Sequence, residues 1–402
     1  KNPSFEEVIS LQGLANPQLS PDGRYVVFEK TSTDWEENRF DRELWLSREG
    51  GEPFPLTRNP EGSSRGAQWS PDGKWIAFSS SRGSGNQIWL IRASGGEAFP
   101  LTDIEGGVGS FQWHPDGNQI AFLRSEDTEK EQKARKEKYG AFEADDAEYQ
   151  RSWLWVQEVI PERLTEAPLP EQAKDSAWKA AREPKPLIDS VDFHIRNFKW
   201  SPDGTHIAFT HQPNPLINSS RDSDISVYEV ASGTHRALVA NPGPDGFLEW
   251  SPDSQSILYQ SSGADTTSYY YKNDQLYRLG LDGSDNRRLA GDFDENIGGL
   301  HWTEDGIYGT AWWKTHRPVV RIDPGSGKTR VLESGLDMVW QLSFSEDAEK
   351  VAFLGRQHDG LWEVRTSDPK FKHAALVASA TPQIEGWAVA RSEVIQWESR
   401  DG

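Results

Sequence analysis

A four-residue turn of the type Ser-Pro-Asp-Gly recurs along the chain and constrains its fold more than any other feature. In chain order the copies are Ser20-Pro21-Asp22-Gly23, Ser70-Pro71-Asp72-Gly73, His114-Pro115-Asp116-Gly117, Ser201-Pro202-Asp203-Gly204, Ser251-Pro252-Asp253-Ser254, Thr303-Glu304-Asp305-Gly306 and Ser345-Glu346-Asp347-Ala348. Successive copies are 50, 44, 87, 50, 52 and 42 residues apart. A period of about 40 to 50 residues with strand-like flanks is typical of a β-propeller, so seven copies predict seven blades.

The second copy shows most clearly what one repeat contains. Strand-like residues 67–69 lead into the turn, and residues 74–78 form a second strand-like segment after it. Residues 87–91 form a third segment, and residues 97–101 form a fourth after the hairpin turn Ser94-Gly95-Gly96. Four short segments joined by turns predict a blade of four antiparallel strands. The predicted fold is therefore all-β, a seven-bladed β-propeller of four-stranded antiparallel blades.

Two residue types recur at equivalent positions of the repeat, and a structural role explains both. A tryptophan precedes the turn in five repeats, at Trp69, Trp113, Trp200, Trp250 and Trp302. An aromatic binding platform is one interpretation, but recurrence at one position of the repeat favours packing between neighbouring blades. The aspartates are predicted to hydrogen-bond the backbone of the turn rather than to act as catalytic carboxylates.

The long interval between the third and fourth turns contains an insertion in the third blade, at about residues 125–150. This segment is too polar for a strand and is rich in helix-forming residues, with Glu131 and Arg135 four apart as on an exposed charged helix. A second polar stretch, at about residues 166–185, is predicted to be a loop with a helical turn. Insertions in propellers tend to gather on one face and to build its binding surface. The first insertion is therefore either part of such a surface or a solvated segment without a function.

The composition excludes several classes of partner. A formal net charge of −20 argues against binding to nucleic acid or anionic lipid. No apolar run reaches the length of a transmembrane helix, and the absence of cysteine excludes disulfides and thiolate metal sites. The chain starts at Lys1-Asn2-Pro3 without an apolar signal core, as in a processed export product or a trimmed chain. We expect a periplasmic or secreted protein, with a cytoplasmic location as the alternative.

The common catalytic motifs are missing from the sequence. It contains no Gly-x-Ser-x-Gly, no His-Glu-x-x-His, no phosphate-binding glycine-rich loop and no dinucleotide-binding fingerprint. The nine histidines are scattered without the spacing of metal ligands, and a packing or surface position is the simpler role for His211 and His301. We therefore expect no catalytic residue, no cofactor and no metal in this chain.

Three segments carry a resemblance to a known family. The first joins residues 5–11 (FEEVISL) to residues 16–23 (NPQLSPDG), and the second is the charged insertion, which ends in Tyr149 and Trp153-Leu154-Trp155. The third is residues 393–402 (EVIQWESRDG). They resemble the entry, the insertion and the start of the α/β-hydrolase domain in prolyl oligopeptidase-family serine peptidases, in the acylaminoacyl-peptidase and dipeptidyl-peptidase-like branch. The resemblance implies a propeller at residues 1–394 and the start of a hydrolase domain at residues 395–402.

The resemblance also implies a function for the propeller. The catalytic Ser, His and Asp would lie in an α/β-hydrolase domain that is either joined covalently or a separate chain, and the propeller would cover the active site and admit oligopeptides. In the family's dipeptidyl peptidases, acidic residues of a propeller insertion hold the substrate amine, because a desolvated cation needs a fixed anion. The candidate residues here are Glu143, Asp145, Asp146 and Glu148 in the insertion, and Glu36 and Glu37 in the first repeat.

The sequence leaves two other functions open. Tol-like propellers share the Pro-Asp-Gly turn, so a free-standing protein-binding module without enzymatic relatives is the main alternative. A propeller with its own polysaccharide-cleaving site is a third possibility, which requires a metal or paired carboxylates in the central channel. For both acidic clusters, a solvated loop remains the simplest interpretation.

Overall fold

The computed structural model describes residues 1–402 except residues 61, 83–84, 128–129, 141–148, 161–182, 267–271, 391–392 and 401–402. The described residues form seven antiparallel sheets of four strands each. Each sheet takes its four strands consecutively from the chain, and the first strands of neighbouring sheets contact each other around a central channel. This architecture confirms the predicted seven-bladed β-propeller.

The blades follow one another in chain order. Blade 1 contains β1 (Gly13–Leu19), β2 (Tyr25–Asp34), β3 (Arg39–Arg48) and β4 (Phe54–Pro55). Blade 2 contains β5 (Ser64–Trp69), β6 (Trp75–Ser80), β7 (Gln87–Arg92) and β8 (Phe99–Pro100). Blade 3 contains β9 (Phe111–Trp113), β10 (Gln119–Ser125), β11 (Ser152–Glu158) and β12 (Lys185–Ile188). Blade 4 contains β13 (His194–Trp200), β14 (His206–Gln212), β15 (Asp224–Glu229) and β16 (Thr234–Val239).

The remaining three blades repeat the same order of strands. Blade 5 contains β17 (Asp245–Trp250), β18 (Ser256–Ser261), β19 (Gln275–Gly280) and β20 (Arg287–Leu289). Blade 6 contains β21 (Ile297–Thr303), β22 (Gly306–Ala311), β23 (Val319–Ile322) and β24 (Thr329–Leu332). Blade 7 contains β25 (Met338–Phe344), β26 (Val351–Arg356), β27 (Glu363–Ser367) and β28 (Ala375–Ser379).

The described helices lie outside the blades. Helix α1 (Phe5–Ile9) begins after Ser4, which exchanges capping hydrogen bonds with Glu7. Helix α2 (Lys130–Tyr139) forms the centre of the predicted insertion. The side chain of Glu131 lies outside the described part of the chain, so its predicted contact with Arg135 stays a prediction. Most of residues 166–185 also lie outside the described part. None of the described helices is long and apolar enough to cross a membrane.

The repeated turns join the first and second strands of the blades, and their own side chains close them. In five turns the serine hydroxyl donates to the aspartate at 2.6 Å, in the pairs Ser20–Asp22, Ser70–Asp72, Ser201–Asp203, Ser251–Asp253 and Ser345–Asp347. In the first turn, the backbone N–H of Arg24 also donates to Asp22 at 3.1 Å. The aspartates therefore stabilise the turns, as predicted.

The core consists of hydrophobic clusters, each shared by two adjacent blades. The tryptophans that precede the turns contribute to these junctions. In three of them the indole Nε1 donates to a carbonyl of the preceding blade, from Trp69 to Gln18 at 3.1 Å, from Trp113 to Gln68 at 3.3 Å and from Trp250 to Lys199 at 3.0 Å. These bonds confirm the predicted packing between blades.

The ring closes without a strand shared between its two ends, since all four strands of blade 7 are consecutive in the chain. Side chains make the closing contacts instead. Gln341 on β25 accepts from the backbone N–H of Asn16 at 2.8 Å and donates to the Asn16 side chain. Gln383 exchanges two hydrogen bonds with the backbone of Gln12, at 2.8 and 3.0 Å. The first and last blades are thus joined both by these polar side chains and by an apolar cluster that the two blades share.

The antiparallel strand order divides the connections between two faces of the ring. The repeated turns and the connections between the third and fourth strands lie on one face, here called the turn face. The loops between the second and third strands, and the links from blade to blade, lie on the opposite loop face. The segment that follows blade 7 meets the start of the chain there, where the backbone N–H of Ala388 donates to the carbonyl of Lys1 at 2.7 Å.

Two histidines on the blade strands are kept neutral by burial. The ring of His211 packs on Phe193, and its Nε2 lies 2.9 Å from the hydroxyl of Ser226. The ring of His301 packs near Phe344. Burial lowers the pKa of each histidine from 6.5 to about 4. Both residues have the packing role that their positions predicted.

We predict that the protein loses stability as the pH falls from about 6.5 to about 4. In this range the unfolded chain protonates His211 and His301, whereas the folded protein does not. By this linkage, each histidine lowers the free energy of unfolding at pH 5 by about 2 kcal/mol relative to neutral pH. His301→Gln is expected to reduce the shift in the urea midpoint between neutral and mildly acidic buffer. The exposed His373→Gln is the control, and an unchanged shift in His301→Gln would contradict the prediction.

We also predict that Gln341→Ala weakens the closure of the ring. The substitution removes both hydrogen bonds to Asn16 and leaves a backbone N–H without its acceptor, so the free energy of unfolding should fall by about 1–2 kcal/mol. Urea denaturation measures this loss. Gln255→Ala, in an exposed turn of blade 5, is the matched control and should change stability by less than about 0.5 kcal/mol. Equal effects would show that these bonds do not close the ring.

Candidate functional site

The loop face carries most of the large apolar side chains that the described residues expose. They belong to its loops, to the loop-face ends of strands, and to the segments at both chain ends. They are Phe5, Val8, Trp35, Phe40, Tyr139, Ile217, Trp312, Trp313, Trp340 and Val389. Val394, Ile395 and Trp397, in the segment that follows, are also exposed. Val230 and Leu376 are the exceptions among the described residues. Such a concentration of exposed apolar surface on one face is typical of an interaction surface.

Blades 6 and 7 hold an arginine between two tryptophans on this face. The guanidinium carbon of Arg317 lies 3.6 Å from the ring centre of Trp340 and 5.4 Å from that of Trp312. Its Nε donates to the hydroxyl of Thr310 at 3.2 Å, and the residue is only 8% exposed. Burial lowers the pKa of Arg317, and no described carboxylate forms an ion pair with it. A buried guanidinium without an ion-pair partner among the described residues can bind a carbonyl or carboxylate group of a ligand.

The first strands of the blades line the central channel. On the turn side, the channel widens into a cavity of about 770 Å³ bordered by Pro21, Pro71 and Pro115 of the repeated turns. Glu346 is the only carboxylate among the described residues that line this cavity. The described lining therefore does not provide the paired carboxylates that a polysaccharide-cleaving site would need.

The predicted amine-binding residues fall into two groups. Glu36 and Glu37 lie at the tip of the hairpin between β2 and β3, exposed on the loop face beside Trp35. Neither carboxylate has an ion-pair partner among the described residues. Glu143, Asp145, Asp146 and Glu148 lie outside the described residues, so the structure does not place them. The insertion is fastened to the link between blades 2 and 3, where Lys133 pairs with Glu105 at 2.7 Å.

Two groups of side chains on the loop face have no counterpart in the sequence predictions. A pocket of about 400 Å³ between blades 5 and 6 is lined by four carboxylates, those of Asp265, Asp274, Asp294 and Glu295. His316, Asp337 and His358, between blades 6 and 7, have the composition of a metal site. In both groups the residues come from different loops, so no local motif could reveal them.

Comparison with curated proteins identifies peptidases as relatives, while no protein-family profile matches the chain. Dipeptidyl-peptidase 5 of Porphyromonas gingivalis is 29% identical over 359 residues, which cover 82% of this chain and 49% of that protein. The uncharacterized peptidase YuxL of Bacillus subtilis is 29% identical over 79 residues, covering 19% of this chain and 12% of that protein. The chain thus spans about half the length of the first relative.

Solved structures of peptidases share the fold. A puromycin-hydrolyzing peptidase of Mycobacterium tuberculosis superimposes with a TM-score of 0.68 at 15% identity, covering 94% of this chain and 56% of that one. For the acylaminoacyl peptidase of Pyrococcus horikoshii the TM-score is 0.67 at 16% identity, with coverages of 94% and 54%. The propeller domain of the Trilobed protease of Pyrococcus furiosus, which has an open velcro topology, gives 0.63 at 14%, with coverages of 94% and 99%. The chain is therefore a β-propeller domain whose homologues and structural neighbours are peptidases of the prolyl oligopeptidase family.

Proposed function

We propose that this chain is the substrate-gating propeller of a serine peptidase that cleaves oligopeptides. In this proposal the catalytic Ser, His and Asp belong to an α/β-hydrolase domain that begins near residue 395. The observation that carries the proposal is the concentration of exposed apolar side chains on the face where the segment after blade 7 meets the start of the chain. The similarity to proteins named as peptidases supports it.

A domain that follows the propeller would start on the loop face, because the segment around Ala388 already lies there against Lys1. Packing against Trp312, Trp313 and Trp340 would remove their exposed apolar surface from water, at about 25 cal/mol per Å². The chamber enclosed between the two domains would admit a flexible peptide and exclude a folded protein. Arg317, held between two of these tryptophans, would bind a carbonyl or carboxylate of the peptide.

We expect the reading frame to continue past Gly402 into a domain with Gly-x-Ser-x-Gly, then Asp, then His. In that longer protein, Trp313→Asp places a charge in the proposed domain interface and should loosen the chamber. The expected result is a several-fold rise in cleavage of casein relative to a dipeptide anilide. Val230→Asp, on the turn face, is the matched control because it adds the same charge to another exposed apolar position.

Two outcomes would contradict the gating role. A stop codon directly after Gly402 would leave no hydrolase domain on this chain, and the Tol-like protein-binding module would become the better interpretation. An unchanged ratio of casein to anilide cleavage in Trp313→Asp, with the longer protein folded, would show that this face does not control access.

Within the same proposal, acidic residues of the loop face hold the free amino group of the substrate. Glu36 and Glu37 are adjacent, exposed and without a described ion-pair partner, so their charge is available to a ligand. Glu143, Asp145, Asp146 and Glu148 are the other candidates. An ammonium group that enters a chamber with little water requires such a fixed anion to offset its desolvation.

The amine-binding role predicts a change in specificity. In the longer protein, the double substitution Glu36→Gln and Glu37→Gln should raise KM about tenfold for a peptide anilide with a free amino terminus, since a charged hydrogen bond is lost. The KM for the N-acetylated anilide should stay the same. Glu97→Gln on the turn face is the control. Equal KM changes for both substrates would exclude these two residues, and the same assay then applies to the four residues of the insertion.

A further inference from the structure

Three side chains converge on the loop face at the junction of blades 6 and 7. His316 belongs to the loop between β22 and β23, Asp337 to the link between β24 and β25, and His358 to the loop between β26 and β27. The Nε2 atoms of His316 and His358 lie 3.5 and 3.6 Å from the same oxygen, Oδ1 of Asp337. One atom from each residue lies within 4.8 Å of the other two.

The backbone holds Asp337 in the middle of this group. The N–H of Arg317, next to His316, donates to the Asp337 carbonyl at 2.9 Å, and the N–H of Asp337 donates to the Arg356 carbonyl at 3.2 Å. The other carboxylate oxygen, Oδ2, accepts from the N–H of His358 at 2.8 Å. This bond fixes the carboxylate so that Oδ1 faces both imidazoles.

The loop that carries His316 is closed in the same way. The backbones of Trp313 and His316 exchange two hydrogen bonds, at 2.9 and 3.1 Å, which form a tight turn. The hydroxyl of Thr315 lies 3.0 Å from Nδ1 of His316. The hydroxyl oxygen can accept a hydrogen bond from the Nδ1–H of the ring, and in that tautomer the lone pair of Nε2 is directed toward Asp337.

We propose that His316, Asp337 and His358 form a binding site for Zn²⁺. Ligands about 2.0–2.1 Å from zinc in a tetrahedral arrangement are about 3.3–3.4 Å apart, close to the two nitrogen–oxygen distances here. Two imidazoles and one carboxylate suit Zn²⁺ better than Mg²⁺ or Ca²⁺, which prefer oxygen ligands. His316 is exposed, so the fourth position opens to solvent and takes a water molecule or a ligand atom.

The site would join the loops of two blades on the face that carries Arg317 and its two tryptophans. Zinc bound only to the folded protein raises its stability with metal concentration. The bound ion would also add its positive charge to a chain whose formal net charge is −20. Its binding is independent of the proposed peptidase function, because the three ligands all belong to the propeller.

The test is titration of the chelator-treated full chain with Zn²⁺ by calorimetry, together with the absorption spectrum of the Co²⁺ form. We expect one zinc ion per chain, a rise in Tm with zinc concentration and the intense visible bands of tetrahedral cobalt. Mg²⁺ and Ca²⁺ should give neither heat nor a shift in Tm. Lack of zinc binding at micromolar concentrations would overturn the proposal.

Substitutions locate the ion. His316→Gln, His358→Gln and Asp337→Asn should each weaken zinc binding by at least about tenfold, while His373→Gln, an exposed histidine on the turn face, should not. His316→Gln is the safest variant because its side chain is 51% exposed, and its Tm without metal checks the fold. If the three ligand variants bind zinc as tightly as the unsubstituted chain does, the ion sits elsewhere and the proposal fails.

Discussion

The apolar contact between neighbouring blades is the constraint on which the rest of the molecule depends. Each hydrophobic cluster consists of residues from two adjacent blades, so a single blade cannot bury its own apolar residues. The ring must therefore close, and the cluster of Leu14, Phe28 and Leu354 makes the last junction. Closure by side chains such as Gln341 supplements this apolar contact at the channel wall. With stability located in the strands, the loops are free to carry other chemistry.

The sequence predicted those features whose cause is local. A serine and an aspartate two residues apart form a hydrogen bond inside one turn, so a tetrapeptide was enough to locate the blades. The tryptophan before the turn repeats the same contact from blade to blade, as Trp69 and Trp250 show, so its packing role could be inferred from recurrence.

Contacts between distant parts of the chain could not be predicted in this way. Asn16 and Gln341 meet only because the ring closes, and they lie 325 residues apart in the chain, so no local spacing relates them. His316, Asp337 and His358 are brought together by three loops, so a search for metal-ligand spacing along the chain found nothing there. The two faces of the ring differ for the same reason: repeated turns build one face, whereas the other consists of loops that differ in every blade.

The consecutive order of strands within each blade has a consequence for biosynthesis. Each blade is complete as soon as its fourth strand leaves the ribosome, so blades can assemble in the order of translation. The side of blade 1 that carries Leu14 and Phe28 has no partner until blade 7 emerges. This apolar side stays uncovered for nearly the whole synthesis of the propeller, and it is the surface on which a nascent chain would need a chaperone.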